Sequence, residues 1–223
     1  MLVSHLNSFI FLKSRKTAST STEVFFQKYC IDPNKINQFN SLIKYNKNLL
    51  NLDNIGYVSE HGIIGSRGYK IQDEEHKWYH HKPAKELKKD IGETIFDSYL
   101  KICNIRNPYD LAVSMYEWKK SQSNIKETFN SFLLNEKWQN RLKSNIDIWS
   151  IDGKYDFEYI RFENLKEDIS KILKKLNIKE EFIGLEHYKK SNRKSYRDYY
   201  NQKSIEIVSK IYENELEVFN YSF

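Results

Sequence analysis

Residues 8–30, SFIFLKSRKTASTSTEVFFQKYC, constrain this chain more than any other stretch. Ser8 to Leu12 is apolar and aromatic enough to be a buried strand, and Ser19 to Cys30 carries Val24, Phe25 and Tyr29 at helical spacing. Between them run Lys13-Ser14-Arg15-Lys16-Thr17-Ala18-Ser19-Thr20-Ser21-Thr22, three cations followed by hydroxyls and small residues. A strand that enters a helix through such a turn aims backbone N–H groups and the positive end of the helix dipole at one point. Hydroxyl donors and an ammonium converge on the same point, so the stretch predicts a cradle for phosphate or sulfate. A capped helix with solvated lysines is the plainer alternative for these residues taken alone. The ATP cradle pattern G-x-x-x-x-G-K-[ST] is not met, because the loop has no glycine and Lys16 precedes the hydroxyls.

The chain has 223 residues, an ordinary size for one domain with a substantial core. Its mean hydropathy of −0.73 describes a polar protein, while 15% aromatic residues argue against disorder. Only 7 glycines and 3 prolines leave little material for long linkers. A net charge of +6 points to anionic partners: nucleic acid, or a polyanionic small molecule together with an acidic glycan. Cys30 and Cys103 fall in a helix and a strand and read as reduced core residues, with no metal-type spacing around them. The first thirteen residues are too short and too polar for a membrane span, so a cytoplasmic location is expected.

Further along, strands are expected at Ile55–Ser59, Tyr99–Ile105 and Phe157–Phe162. Helices are expected at Pro83–Ile91, from Asn107-Pro108 onward, within Phe129–Trp149, at Leu165–Leu176 and over about Lys203–Glu217. The lysine- and asparagine-rich stretch Ile31–Asn54 is helical or irregular, and Gly65, Arg67 and Gly68 mark a loop. Strands alternating with helices argue for an α/β domain with a mainly parallel sheet. Ligands in such sheets sit at the carboxyl ends of strands, where Lys16 and Arg106 both fall.

The turn at 13–22 resembles the 5′-phosphosulfate loop of sulfotransferases that use 3′-phosphoadenosine 5′-phosphosulfate (PAPS). Its wording Lys16-Thr17-Ala18-Ser19-Thr20-Ser21 is similar to the uronyl 2-O-sulfotransferase branch. Most members have proline at the position of Arg15, and many have glycine at Ala18 or Ser19. The stretch from Cys103 to Tyr116, CNIRNPYDLAVSMY, resembles the family's 3′-phosphate-binding strand and helix, in which an arginine and a serine eight residues later hold one phosphate. Those positions are Arg106 and Ser114; a guanidinium gives a bidentate charged clamp and the hydroxyl adds a donor. The plainer alternative is an Arg106–Asp110 pair beside a helix serine. Arg161-Phe162-Glu163-Asn164-Leu165 with Asp168 resembles another family segment, as does the ending Val218–Phe223, where Asn220 replaces the usual glycine. Arg193 and Lys194, within Lys190–Ser195, stand where relatives fold a basic loop over the nucleotide.

The resemblance implies a single sulfotransferase domain over 1–223, a P-loop-NTPase-like three-layer α/β sandwich with a central, mainly parallel sheet flanked by helices. It implies transfer of a sulfuryl group from PAPS to a hydroxyl of a carbohydrate or glycoconjugate, releasing 3′-phosphoadenosine 5′-phosphate (PAP), with no metal and no nucleic-acid partner. The cofactor contacts it implies are Arg15, Lys16, Thr17, Ala18, Ser19, Thr20, Ser21, Arg106, Ser114, Arg193 and Lys194. Lys16 would stabilise the bridging oxygen as it gains charge. A general base is needed for the acceptor hydroxyl, and histidine has a suitable pKa. Trp78-Tyr79-His80-His81-Lys82-Pro83-Ala84 resembles the relatives' base segment, so His81 stands first, followed by His80 and His61, with Glu60 as the carboxylate alternative. A P-loop kinase and a basic nucleic-acid-binding module are the competing classes; the acceptor and the oligomeric state are not specified by the sequence.

Overall fold

The computed structural model describes residues 1–36, 57–66, 77–123, 126–185 and 193–223. Most of the lysine- and asparagine-rich stretch, Ile55, Arg67, Gly68, and Lys190, Ser191 and Asn192 of the basic loop lie outside the described residues. In chain order the strands are β1 Leu2–Ser4, β2 Phe9–Leu12, β3 Tyr57–Ser59, β4 Gly62–Ile64, β5 Leu100–Ile105 and β6 Glu158–Arg161. The principal helices are α1 Ser19–Phe26, α2 Ala84–Ile91, α3 Glu93–Ser98, α4 Pro108–Ser123, α5 Phe129–Leu134, α6 Leu165–Lys175, α7 Gln202–Ile211 and α8 Glu213–Phe219. The chain divides into two compact units, Met1–Ile105 with Asp147–Tyr188, and Arg106–Ile146 with Lys189–Phe223.

The first unit is an α/β layer built on one six-stranded sheet of order β3-β4-β1-β2-β5-β6. β2, β5 and β6 are parallel neighbours, whereas β1 pairs antiparallel with both β2 and β4, and β3 antiparallel with β4. Four of the six strands therefore point the same way, and β1 and β3 run against them. Phe9, Ile10, Phe11 and Leu12 are all fully buried, as expected of a central strand covered on both faces. Phe9 and Phe11 pack with Leu2, Ile102 and Ile160 against Phe26 of α1 and Ile169, Ile172 and Leu173 of α6. The helical spacing of those α6 residues is the reason that helix lies on the sheet.

β1 and β4 differ from the sequence reading, which has the first residues leading straight into one strand and places a loop after His61. Each strand has only three residues, too few to show a period, and pairing with neighbours makes them strands. Glycine is required at position 62: a Cβ there would stand 2.4 Å from the Val3 carbonyl oxygen, in the register that pairs Gly62 with Ser4.

The second unit is helical. Tyr109, Ala112 and Tyr116 of α4 pack with Phe129, Phe132 and Leu133 of α5 and with Val208 and Tyr212. Rings of Tyr109, Tyr200 and Phe223 meet edge to face at 5.2–5.7 Å, which gives the aromatic-rich carboxyl-terminal residues a packing role. The expected final helix is two helices, α7 and α8, divided at Tyr212, and α8 ends at Asn220 in a left-handed conformation. Asparagine tolerates that cap conformation, so it serves where glycine is usual. Among the described residues no helix is long and apolar enough to cross a membrane.

Candidate functional site

β2 ends at Leu12 and the chain reverses through residues 13–18 into α1. Lys16 and Ala18 take positive φ values of 60° and 63°, conformations that cost a non-glycine residue about 1–2 kcal/mol each. Ala18 sits at the N-cap with no side chain to cap the helix, and the Ser21 and Thr22 amides donate to its carbonyl at 3.0 and 3.2 Å. Among the described residues nothing accepts from the Ser19 and Thr20 amides, so the helix start keeps the donors that an anion would use. Ser19 and Thr17 donate their hydroxyls to the Ser14 carbonyl at 2.5 and 3.5 Å, which holds the turn closed on itself. Thr20 and Ser21 are partly exposed. Asn104 of β5 donates to the Thr22 hydroxyl at 3.1 Å, tying the first turn of α1 to the neighbouring strand.

The three cations of the turn have separate fates. Lys13 is buried and donates to Glu23 of α1 at 2.5 Å, so its charge is neutralised inside the fold. Arg15 reaches Asp147 with two nitrogens at 3.2 Å each. Lys16, partly exposed, occupies the left-handed bend that follows. The inward turn of Lys13 was hidden in the sequence because its partner stands ten residues away, beyond any helical or strand spacing.

Strand register separates the candidate bases. Ser4 pairs with both Phe9 and Gly62, and Leu2 with both Phe11 and Ile64. The Glu60-His61 turn before Gly62 therefore lies level with the amino end of β2, about 10 Å along the strand direction from the turn that follows Leu12 and two strands to its side. The His61 carbonyl accepts from the His5 and Leu6 amides there, and its ring stands 3.8 Å from Glu60. Beyond β4 the chain is at the other end, where the Ser66 amide donates to the Trp78 carbonyl. His81 follows, itself left-handed at φ 57°, and its Nδ1–H donates to the Lys13 carbonyl at 2.6 Å. That bond fixes the neutral tautomer with an unprotonated Nε2. Burial first, then the neighbouring His80, push the His81 pKa down to about 2; the Lys13 carbonyl opposes this and the Lys13 and Arg15 charges add to it. His80 packs edge to face on the His81 ring at 4.6 Å.

In the second unit the chain leaves β5 and begins with Arg106. Its Nε and Nη2 donate to Oδ2 of Asp110 at 2.8 and 2.7 Å, the i,i+4 pair visible in the sequence. Arg193 donates to the other oxygen of the same carboxylate. Asp110 thus joins the buried Arg106 to Arg193, a mostly covered side chain from 83 residues further along. Ser114 stands one helical turn beyond Asp110 and is partly exposed, and Lys194 is exposed. An open cleft of about 640 Å³ adjoins this cluster, lined by Glu117 and Lys120 of α4 and by Arg193, Lys194 and Tyr199.

Fold and turn together define an α/β protein with a glycine-free strand–turn–helix at the carboxyl end of a central strand. The chain belongs to the sulfotransferase family, whose sequence model matches residues 1–222. A protein from Archaeoglobus fulgidus, itself uncharacterised, is 32% identical over 114 aligned residues, covering 44% of this chain and 85% of the relative. No solved structure matches the chain.

Proposed function

We propose that this protein transfers the sulfuryl group of PAPS to a hydroxyl of a carbohydrate or glycoconjugate, releasing PAP. The observation that carries the reading is the turn after β2: in a sulfotransferase-family chain, left-handed residues at Lys16 and Ala18 lead into helix amides that find no acceptor among the described residues. A doubly charged oxyanion meets backbone donors, hydroxyls and an ammonium there. The similarity of Lys16–Ser21 to the uronyl branch supports a glycan acceptor.

In this reading Lys16 stabilises the bridging oxygen as the S–O bond to the leaving phosphate breaks and the acceptor oxygen forms the new one. His81 accepts the acceptor's proton at Nε2, while its Nδ1–H stays on the Lys13 carbonyl. A pKa near 2 makes His81 a poor base alone, but the Lys13 and Arg15 charges are among its causes. Burial and the neighbouring His80 are the larger causes, so an anion in the turn, by offsetting the smaller effect of those charges, raises the basicity of the ring only in part. Arg106 and Ser114 hold the 3′-phosphate, with Arg193 and Lys194 closing over the nucleotide; His80 supports the His81 ring, and neither His61 nor Glu60 has a part.

Calorimetry at fixed salt with PAP and AMP tests the assignment without knowledge of the acceptor. PAP, with its extra 3′-phosphate, should bind roughly 30- to 1,000-fold more tightly, as charge-assisted bonds of ~1.5–3 kcal/mol each imply. Arg106→Ala should remove most of that difference. Equal affinities in the unmutated protein would overturn the PAPS reading.

A further inference from the structure

We propose that Asp110 is a positioning residue, whose carboxylate holds the guanidinium groups of Arg106 and Arg193 together as one site for a phosphate dianion. The inference rests on the reading of Arg106 as a 3′-phosphate ligand and adds a role that the reaction itself does not require. Both carboxylate oxygens are committed, Oδ2 to Arg106 and Oδ1 to Arg193. All three side chains are largely buried, with 7%, 12% and 12% of the Arg106, Asp110 and Arg193 side-chain surfaces exposed. Two guanidinium groups brought together out of water repel each other strongly, and a shared carboxylate between them removes that repulsion. It also sets the direction of each fork, because a planar guanidinium bonded through Nε and Nη2 cannot rotate freely. Asp110 is suited to this on α4, where a carboxylate in the first turn meets the positive end of the helix dipole.

Simple electrostatics argues the other way. A carboxylate beside a phosphate site repels the ligand, so its removal should tighten binding if charge alone mattered. The two accounts thus differ in sign. Calorimetry with PAP and AMP on the unmutated protein and on Asp110→Asn distinguishes them, with circular dichroism melts to verify folding. Positioning predicts that the variant binds PAP roughly 10- to 100-fold more weakly while AMP stays within about twofold. A variant that binds PAP as tightly or more tightly overturns the inference and leaves the sulfotransferase assignment standing. Equal PAP and AMP affinities in the unmutated protein overturn both. Should Asp110→Asn not fold, Asp110→Glu keeps the charge but moves the carboxylate by one methylene. It should still lower the PAP-to-AMP ratio several-fold, and an unchanged ratio would overturn the inference.

Discussion

His81 combines a left-handed backbone, a hydrogen bond to the Lys13 carbonyl and a half-buried side chain. Its pKa is held at about 2, against an ordinary 6.5, so across that interval the unfolded chain binds a proton that the folded chain refuses. The stability it contributes is fully present above about pH 6.5 and is lost as the pH falls towards 2, with a slope approaching ~1.4 kcal/mol per pH unit. Denaturant titrations between about pH 7 and pH 4 should show a shallower dependence in His81→Gln than in the unmutated protein. Identical slopes would mean that the ring is not buried in its neutral form. The sequence puts four histidines, His61, His76, His80 and His81, between Lys16 and Arg106 and, apart from the resemblance of Trp78–Ala84 to a family segment, offers no means of separating them. Strand register did so, because Gly62 pairs at the amino end of the sheet and thereby takes His61 and Glu60 away from the turn at 13–18.

At the scale of the element, the strand–turn–helix unit was legible because each part is a local pattern: four apolar residues, a run of cations and hydroxyls, then apolar helical spacing. What the pattern could not show is that the turn is strained. Ala18 adopts φ 63° and ψ 11° where relatives often have glycine, so its Cβ is unfavourable. Ala18→Gly should relieve about 1–2 kcal/mol of strain and cost about 0.5–1 kcal/mol in chain entropy, for a net gain near ~0.5–1 kcal/mol. Thermal melts of the two proteins should differ by roughly 1–4 °C in favour of glycine. A variant melting below the parent would show that residue 18 has no left-handed strain to relieve. The short strands β1 and β4 stayed invisible for the opposite reason, since three residues carry no period and owe their form to pairing with other strands.

For the whole molecule, a charge of +6 admits both a nucleic-acid partner and a small polyanion, and ligand-dependent stability separates them. PAP at about 100 times its dissociation constant should add about 2.7 kcal/mol, or roughly 5–10 °C in melting temperature for a chain of this size. ATP and a short DNA duplex should give smaller shifts at the same concentration and salt. A larger shift with DNA would favour the nucleic-acid module over the enzyme. The sequence by itself determined the α/β class, the turn between β2 and α1 and the i,i+4 relation of Arg106 to Asp110, because periodicity, charge runs and short spacings are properties of neighbours in the chain. Only the tertiary structure decided that Lys13 turns inward to Glu23, that His81 rather than His61 meets the turn, and that Arg193 shares the Asp110 carboxylate. Those contacts join residues 10, 68 and 83 positions apart, and which distant groups meet is set by strand pairing and helix packing throughout each compact unit.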